Sequence, residues 1–142
     1  MKRSLLLMLA FAALPAFAGP LDKAKAKAHL EAVAAGDIEV LMRDYAEDAY
    51  MDWVGGPLDG RYRGKPAIRE VWQKFVAANE GKPRTAKFGE LAEYAHPTGV
   101  SVEAAVEYGG KTPLKVWHVL VYRDGVMTTE LWQIAPALKV AP

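Results

Sequence analysis

The sequence predicts an α+β fold: three helices come first and an antiparallel sheet of four strands follows. Three observations carry this. Apolar residues recur at helical spacing as far as about Phe75, and after Gly81 the period drops from 3.6 to 2. The later runs are separated by turn chemistry, at His96-Pro97-Thr98-Gly99, Gly109-Gly110 and Asp124-Gly125. The chain has 142 residues with 51% hydrophobic content, which suits one domain and excludes disorder.

The first segment is an address. Met1-Lys2-Arg3 is positively charged, Ser4 to Leu14 is apolar, and Pro15-Ala16-Phe17-Ala18 ends in small residues. That order predicts a secretory signal peptide cleaved after Ala18, since 15 residues fall short of the roughly 20 that span a bilayer. The expected organisation is a signal peptide over 1–18 and one domain over 19–142, in the periplasm or secreted. Losing Lys2 and Arg3 turns a formal charge of +1 into −1. With its cations spread along the chain, the protein is expected to bind no nucleic acid, and no membrane after processing. The absence of Cys excludes disulfides, thiol nucleophiles and a lipoprotein anchor.

Pro20-Leu21-Asp22 opens the first helix, with Ala26, Leu30, Val33 and Ala34 on its apolar side and Gly36 at its end. Asp37 caps a second, striped by Ile38, Leu41, Met42 and Tyr45. A short extended run covers Ala49 to Trp53, and Gly60 to Gly64 reads as a turn-rich connection. Pro66 starts the third helix, with Ile68, Val71, Trp72 and Phe75 on one side. The strands are expected at Arg84–Tyr94, Val100–Tyr108, Leu114–Tyr122 and Val126–Ile134, and their short links make them antiparallel.

Arg123-Asp124-Gly125 reads as a three-residue loop pairing Tyr122 with Val126. Counting outward then sets His118 opposite Glu130 and Val116 opposite Trp132, with Cβ atoms about 4.5–5.5 Å apart. A two-residue loop would set His118 against Leu131 and turn Glu130 away. On the first register Val116, His118, Leu120, Tyr122, Val126 and Trp132 share a face. Trp117, Val119, Val121, Met127 and Leu131 make the other face greasy as well, which predicts a sheet-to-sheet homodimer.

The segments Ala35-Gly36-Asp37-Ile38, Asp44-Tyr45-Ala46-Glu47-Asp48-Ala49 and Gly64-Lys65-Pro66-Ala67-Ile68-Arg69, with the Arg123-Asp124-Gly125-Val126 hairpin, resemble the nuclear transport factor 2-like superfamily. The likeness is to its SnoaL-like and ketosteroid isomerase-like branch, from about Ala24 to Ile134. It implies a cone: a curved antiparallel sheet wrapped around a long helix, enclosing an apolar pocket, usually in a dimer. The branch's isomerases use an Asp base and an oxyanion hole of a Tyr and a protonated Asp. By the resemblance, those positions hold Trp53, His29 and His118, so standard ketosteroid isomerase chemistry is not expected.

The candidate catalytic residues are His118, Glu130 and His29: a carboxylate beside a buried His can tune it for acid/base work near neutral pH. The bland alternative is a satisfied polar pair, with His29 simply packed. The candidate ligand-binding residues are Trp53, Trp72, Phe75, Val116, Leu120 and Trp132, suited to a flat or ring-shaped apolar molecule. Two His and a Glu also resemble a facial metal triad, but no His-x-x-x-His spacing supports one, and neither metal nor cofactor is expected. His96 reads as an exposed turn residue. Three functions stay open: binding of a small hydrophobic molecule; an acid/base isomerase, cyclase, hydratase or hydrolase; and a non-catalytic dimerisation module.

Overall fold

A computed structural model describes residues 20–142. The signal-peptide expectation for Met1 to Ala18 lies outside the described residues. Three helices, α1 (Pro20–Ala35), α2 (Ile38–Arg43) and α3 (Lys65–Ala77), pack against one curved sheet. Its strands are β1 (Tyr45–Val54), β2 (Gly60–Arg63), β3 (Ala86–Phe88), β4 (Ala92–His96), β5 (Gly99–Tyr108), β6 (Leu114–Arg123) and β7 (Val126–Ile134). The spatial order is β2-β1-β7-β6-β5-β3, with β4 also on β5. Among the described residues, no helix is long and apolar enough to cross a membrane.

The helices form where the spacing predicts them. Ala26, Leu30 and Val33 of α1 are buried with His29 on the same face. The Asp37 side chain caps α2 by accepting from the Val40 N–H at 3.1 Å. Ile68, Val71, Trp72 and Phe75 of α3 enter the core together.

Four details differ from the sequence reading. Tyr45, expected on the second helix, opens β1; Asp44 ends α2 and its carbonyl accepts from Met127 N–H, drawing the chain into the sheet. Gly60 to Arg63, read as a connection, is an edge strand antiparallel to β1, clamped by Arg61 on the Asp52 carboxylate. The strand expected over Arg84–Tyr94 is broken into β3 and β4. Gly89 makes the break possible: a Cβ there would approach the carbonyl oxygens of Ala141 and Ala105 to 3.0 and 3.1 Å. Finally, β1 runs parallel to β7, so the sheet is antiparallel except at this one seam.

The β6–β7 hairpin corrects the expected register. Arg123 pairs with Val126, so the loop has two residues, Asp124 and Gly125, both with positive φ (50° and 76°). That is the type I′ geometry that suits Asp-Gly and matches strand twist. A bulge follows, at which Tyr122 pairs with Met127 but Val121 pairs with Thr129. The extra residue restores the parity that the short loop took away. Glu130 therefore returns to the face of His118, pairing directly with Leu120 while His118 pairs with Trp132. Met127, expected outside, is fully buried, and Val126, expected inside, is 40% exposed.

Candidate functional site

Six elements deliver polar groups to one point inside the cone. His29 comes from α1, Tyr45 from β1, Trp72 from α3, Tyr108 from β5, His118 from β6 and Glu130 from β7. Each is at most 2% exposed. Glu130 is the hub: His29 Nε2 lies 3.2 Å from both carboxylate oxygens, and the Tyr45 hydroxyl donates to Oε2. Trp72 Nε1–H donates to the Tyr45 oxygen at 3.0 Å. His118 presents Nδ1 to Glu130 Oε1 at 3.7 Å, and its Nε2 lies 3.0 Å from the Tyr108 hydroxyl.

The electrostatics follow from this geometry. Burial alone would raise the Glu130 pKa, but the charge and hydrogen bonds of His29, with His118 alongside, outweigh it and hold it at about 2. Burial pushes His118 below its ordinary value, with Glu130 opposing. Burial, reinforced by the Glu130 charge, drives Tyr45 and Tyr108 well up, so both keep their protons. With Tyr108 donating to Nε2, neutral His118 carries its own proton on Nδ1, facing the carboxylate. His29 Nδ1, His118 Nδ1, Trp132 Nε1 and Tyr122 OH have no hydrogen-bond partner among the described residues. Among the described residues, no group of three His, Cys, Asp or Glu is arranged to hold a metal ion.

The cluster is closed from the mouth of the cone by aromatic rings. Trp132 stacks on Trp53 with centroids 4.4 Å apart and lies nearly parallel to Tyr108 at 5.6 Å. Its edge contacts reach His118, Phe75 and Trp72 at 4.9, 5.1 and 5.4 Å. Farther out lies a cavity of about 210 Å³ whose apolar walls include Trp53, Leu58, Phe75, Leu114 and Ile134.

The sequence-predicted residues thus divide into two groups. His29, His118 and Glu130 meet, though by a different register from the one expected. Trp53 and Phe75 line the cavity, whereas Trp72, Val116, Leu120 and Trp132 are packed in the interior behind it. His96 is exposed, at the end of β4. Sequence reasoning passed over Tyr108, Tyr45 and Arg84. Tyr108 had a signal: it falls on the even-numbered positions of β5, all of which point inward. Arg84, on the cavity wall, had none.

Solved structures with this fold are diverged in sequence. An NTF2-like protein of unknown function from Pseudomonas putida is 17% identical, with a TM-score of 0.68 over 83% of this chain and 93% of that one. A protein of unknown function with a cystatin-like fold from Nostoc punctiforme is 13% identical, with a TM-score of 0.67 over 84% and 96%. SalBIII, an epoxide hydrolase/cyclase-like enzyme of pyran ring formation in the polyether salinomycin, is 22% identical, with a TM-score of 0.58 over 80% and 89%. At these identities the likeness shows the fold alone. No curated protein matches the chain. The family model of the SnoaL-like domain matches residues 26–129, helices and sheet together, and the chain belongs to that family.

Proposed function

We propose that this protein binds a small apolar, ring-bearing molecule in the cavity at the mouth of the cone. The observation that carries the reading is the cavity itself, about 210 Å³ walled by Trp53, Phe75, Leu58, Leu114 and Ile134. An apolar cavity of about 150 Å³ is enough for a benzene ring, so this one suits one or two fused rings. The aromatic walls are held by Trp132 and Trp72 behind them, so the site is preformed. Calorimetric titration with 2-naphthalenemethanol, a neutral probe, tests this. Saturable binding that disappears when Ile134→Trp fills the cavity is expected. No saturable binding to the wild type, or undiminished binding to the variant, would refute it.

An acid/base enzyme using His118 and Glu130, with His29, is the second reading. It is favoured by an ionised carboxylate beside a neutral His and by the unpartnered Nδ1 atoms of both histidines. For such an enzyme, His118→Ala abolishes turnover of a substrate that still binds; retained turnover removes this reading.

Two further parts of the proposal rest on the sequence. Export to the periplasm or beyond follows from the Met1 to Ala18 segment. A homodimer would cover the outer sheet face, where Trp117, Val119, Val121 and Leu131 are only half-buried. Comparing native and denatured masses of protein from its own compartment reads both, and Leu131→Asp should convert the dimer to a monomer. If association is the whole function, neither His118→Ala nor Ile134→Trp changes anything beyond stability.

A further inference from the structure

On the reading that the mouth cavity is the binding site, we infer that its ligand is an organic acid whose anionic group docks on Arg84. Arg84 lies on the cavity wall at 8% exposure, with its guanidinium over the face of Phe75 at 4.6 Å from the ring centroid. A cation this deep ordinarily has a carboxylate beside it, because an uncompensated buried charge is expensive. Arg84 has none within ion-pair distance among the described residues. Arg61 and Arg69 do have carboxylate partners, Asp52 and Glu39, and both lie on the surface. Burial accordingly draws the Arg84 guanidinium below its ordinary value, with no anion opposing.

The hydrogen bonds sharpen the inference. Nη1 donates to the carbonyls of Gly109 and Thr112, at 3.0 and 3.2 Å. These fix the side chain and leave Nε and Nη2 without a hydrogen bond to the described residues. That edge of the fork takes a carboxylate in bidentate fashion. The other charged group on the wall is Lys74, paired with Glu70 at 2.8 Å at the exposed rim, and among the described residues no Asp or Glu lines the cavity. Apolar walls bearing one cation without a carboxylate partner among the described residues select a molecule with a ring body and one negative end. A cavity of about 210 Å³ limits it to one or two rings.

The test is a matched pair of probes, 2-naphthoate and its neutral isostere 2-naphthamide, titrated calorimetrically into the purified protein. The acid should bind about tenfold tighter or better, as expected when a charge-assisted bond replaces a neutral one. That preference should vanish in Arg84→Met and persist in Lys74→Gln. Equal affinity for the two probes would overturn the inference while leaving the binding reading intact. A preference that survives Arg84→Met would overturn the role of Arg84. Binding of neither acid, amide nor 2-naphthalenemethanol would overturn both. Should Arg84→Met fail to fold, the wild-type Arg84 Nε–H resonance decides: at saturation it must move farther downfield with naphthoate than with naphthamide, and a resonance that naphthoate leaves unmoved refutes the docking.

Discussion

Replacing Glu130 by Gln keeps volume and shape but removes the carboxylate charge at the centre of the cone. The folded protein holds this carboxyl at about 2, against an ordinary value of 4.5. At about 1.36 kcal/mol per pH unit, the difference is worth about 3 kcal/mol of folding stability at neutral pH. The sign follows from the depressed folded value. The contribution is full above the unfolded value, shrinks as pH falls below 4.5 and is gone near pH 2. His118, also lowered in the fold, adds a loss that begins earlier, as pH falls through the ordinary histidine value of 6.5. Urea unfolding of both proteins between pH 8 and pH 3.5 is the assay. Glu130→Gln should cost about 3 kcal/mol at pH 7, and the gap should narrow by about 1 kcal/mol by pH 3.5. A gap independent of pH, or a variant as stable as the wild type at pH 7, would refute the electrostatic account. The cost would then belong to packing alone.

Tyr45→Phe removes the hydroxyl donated to Glu130 and leaves Trp72 Nε1–H unpaired; a loss of about 1.5–3 kcal/mol in urea is expected. Trp132→Ala should cost about 3–5 kcal/mol and join the mouth cavity to the polar cluster, read as xenon uptake greater than that of the wild-type mouth cavity. Gly125→Ala places a Cβ at φ 76° and should cost about 1–2 kcal/mol in thermal unfolding, whereas Asp124→Asn should be nearly neutral, since Asn-Gly suits the same turn.

Much of the fold was legible because its signals are local. The stripe of Ile68, Val71, Trp72 and Phe75, and the alternation from Val100 to Tyr108, follow from element geometry alone, and the structure keeps both. The meeting of His118 and Glu130 was legible for a reason that needs correcting. Asp124 accepts a left-handed φ, so the turn is shorter than the sequence suggested, and the bulge before Thr129 cancels the error. The bulge itself could not be read, because its anchor is tertiary: Met127 N–H bonds to the Asp44 carbonyl at the end of a distant helix. The same limit applies to the cavity. Four aromatics at inward positions read equally as a cage for a ligand or as each other's filling. The choice was made by the ring stack of Trp53 on Trp132, which no spacing rule encodes.

That stack also bears on the choice between binding and catalysis. A substrate reaching His118 and Glu130 from the mouth must displace Trp132 from Trp53, Trp72, Phe75, Tyr108 and His118. Ring pairs of this kind contribute about 0.5–1.5 kcal/mol each. Even the lower figure sets the opening at roughly 2.5 kcal/mol, an open population of about 1–2%. Catalysis could proceed from so minor a state, with its rate scaled down in proportion. Binding at the mouth carries no such factor, because Trp53, Phe75 and Arg84 already line the cavity. The buried cluster meanwhile has a sufficient structural role. By tying α1, β1, α3 and β7 to one carboxylate, it fixes the long helix against the sheet and holds the walls of the mouth apart. On the proposed binding reading, ligand recognition at the rim and charge at the floor are two parts of one device, the second setting the shape of the first.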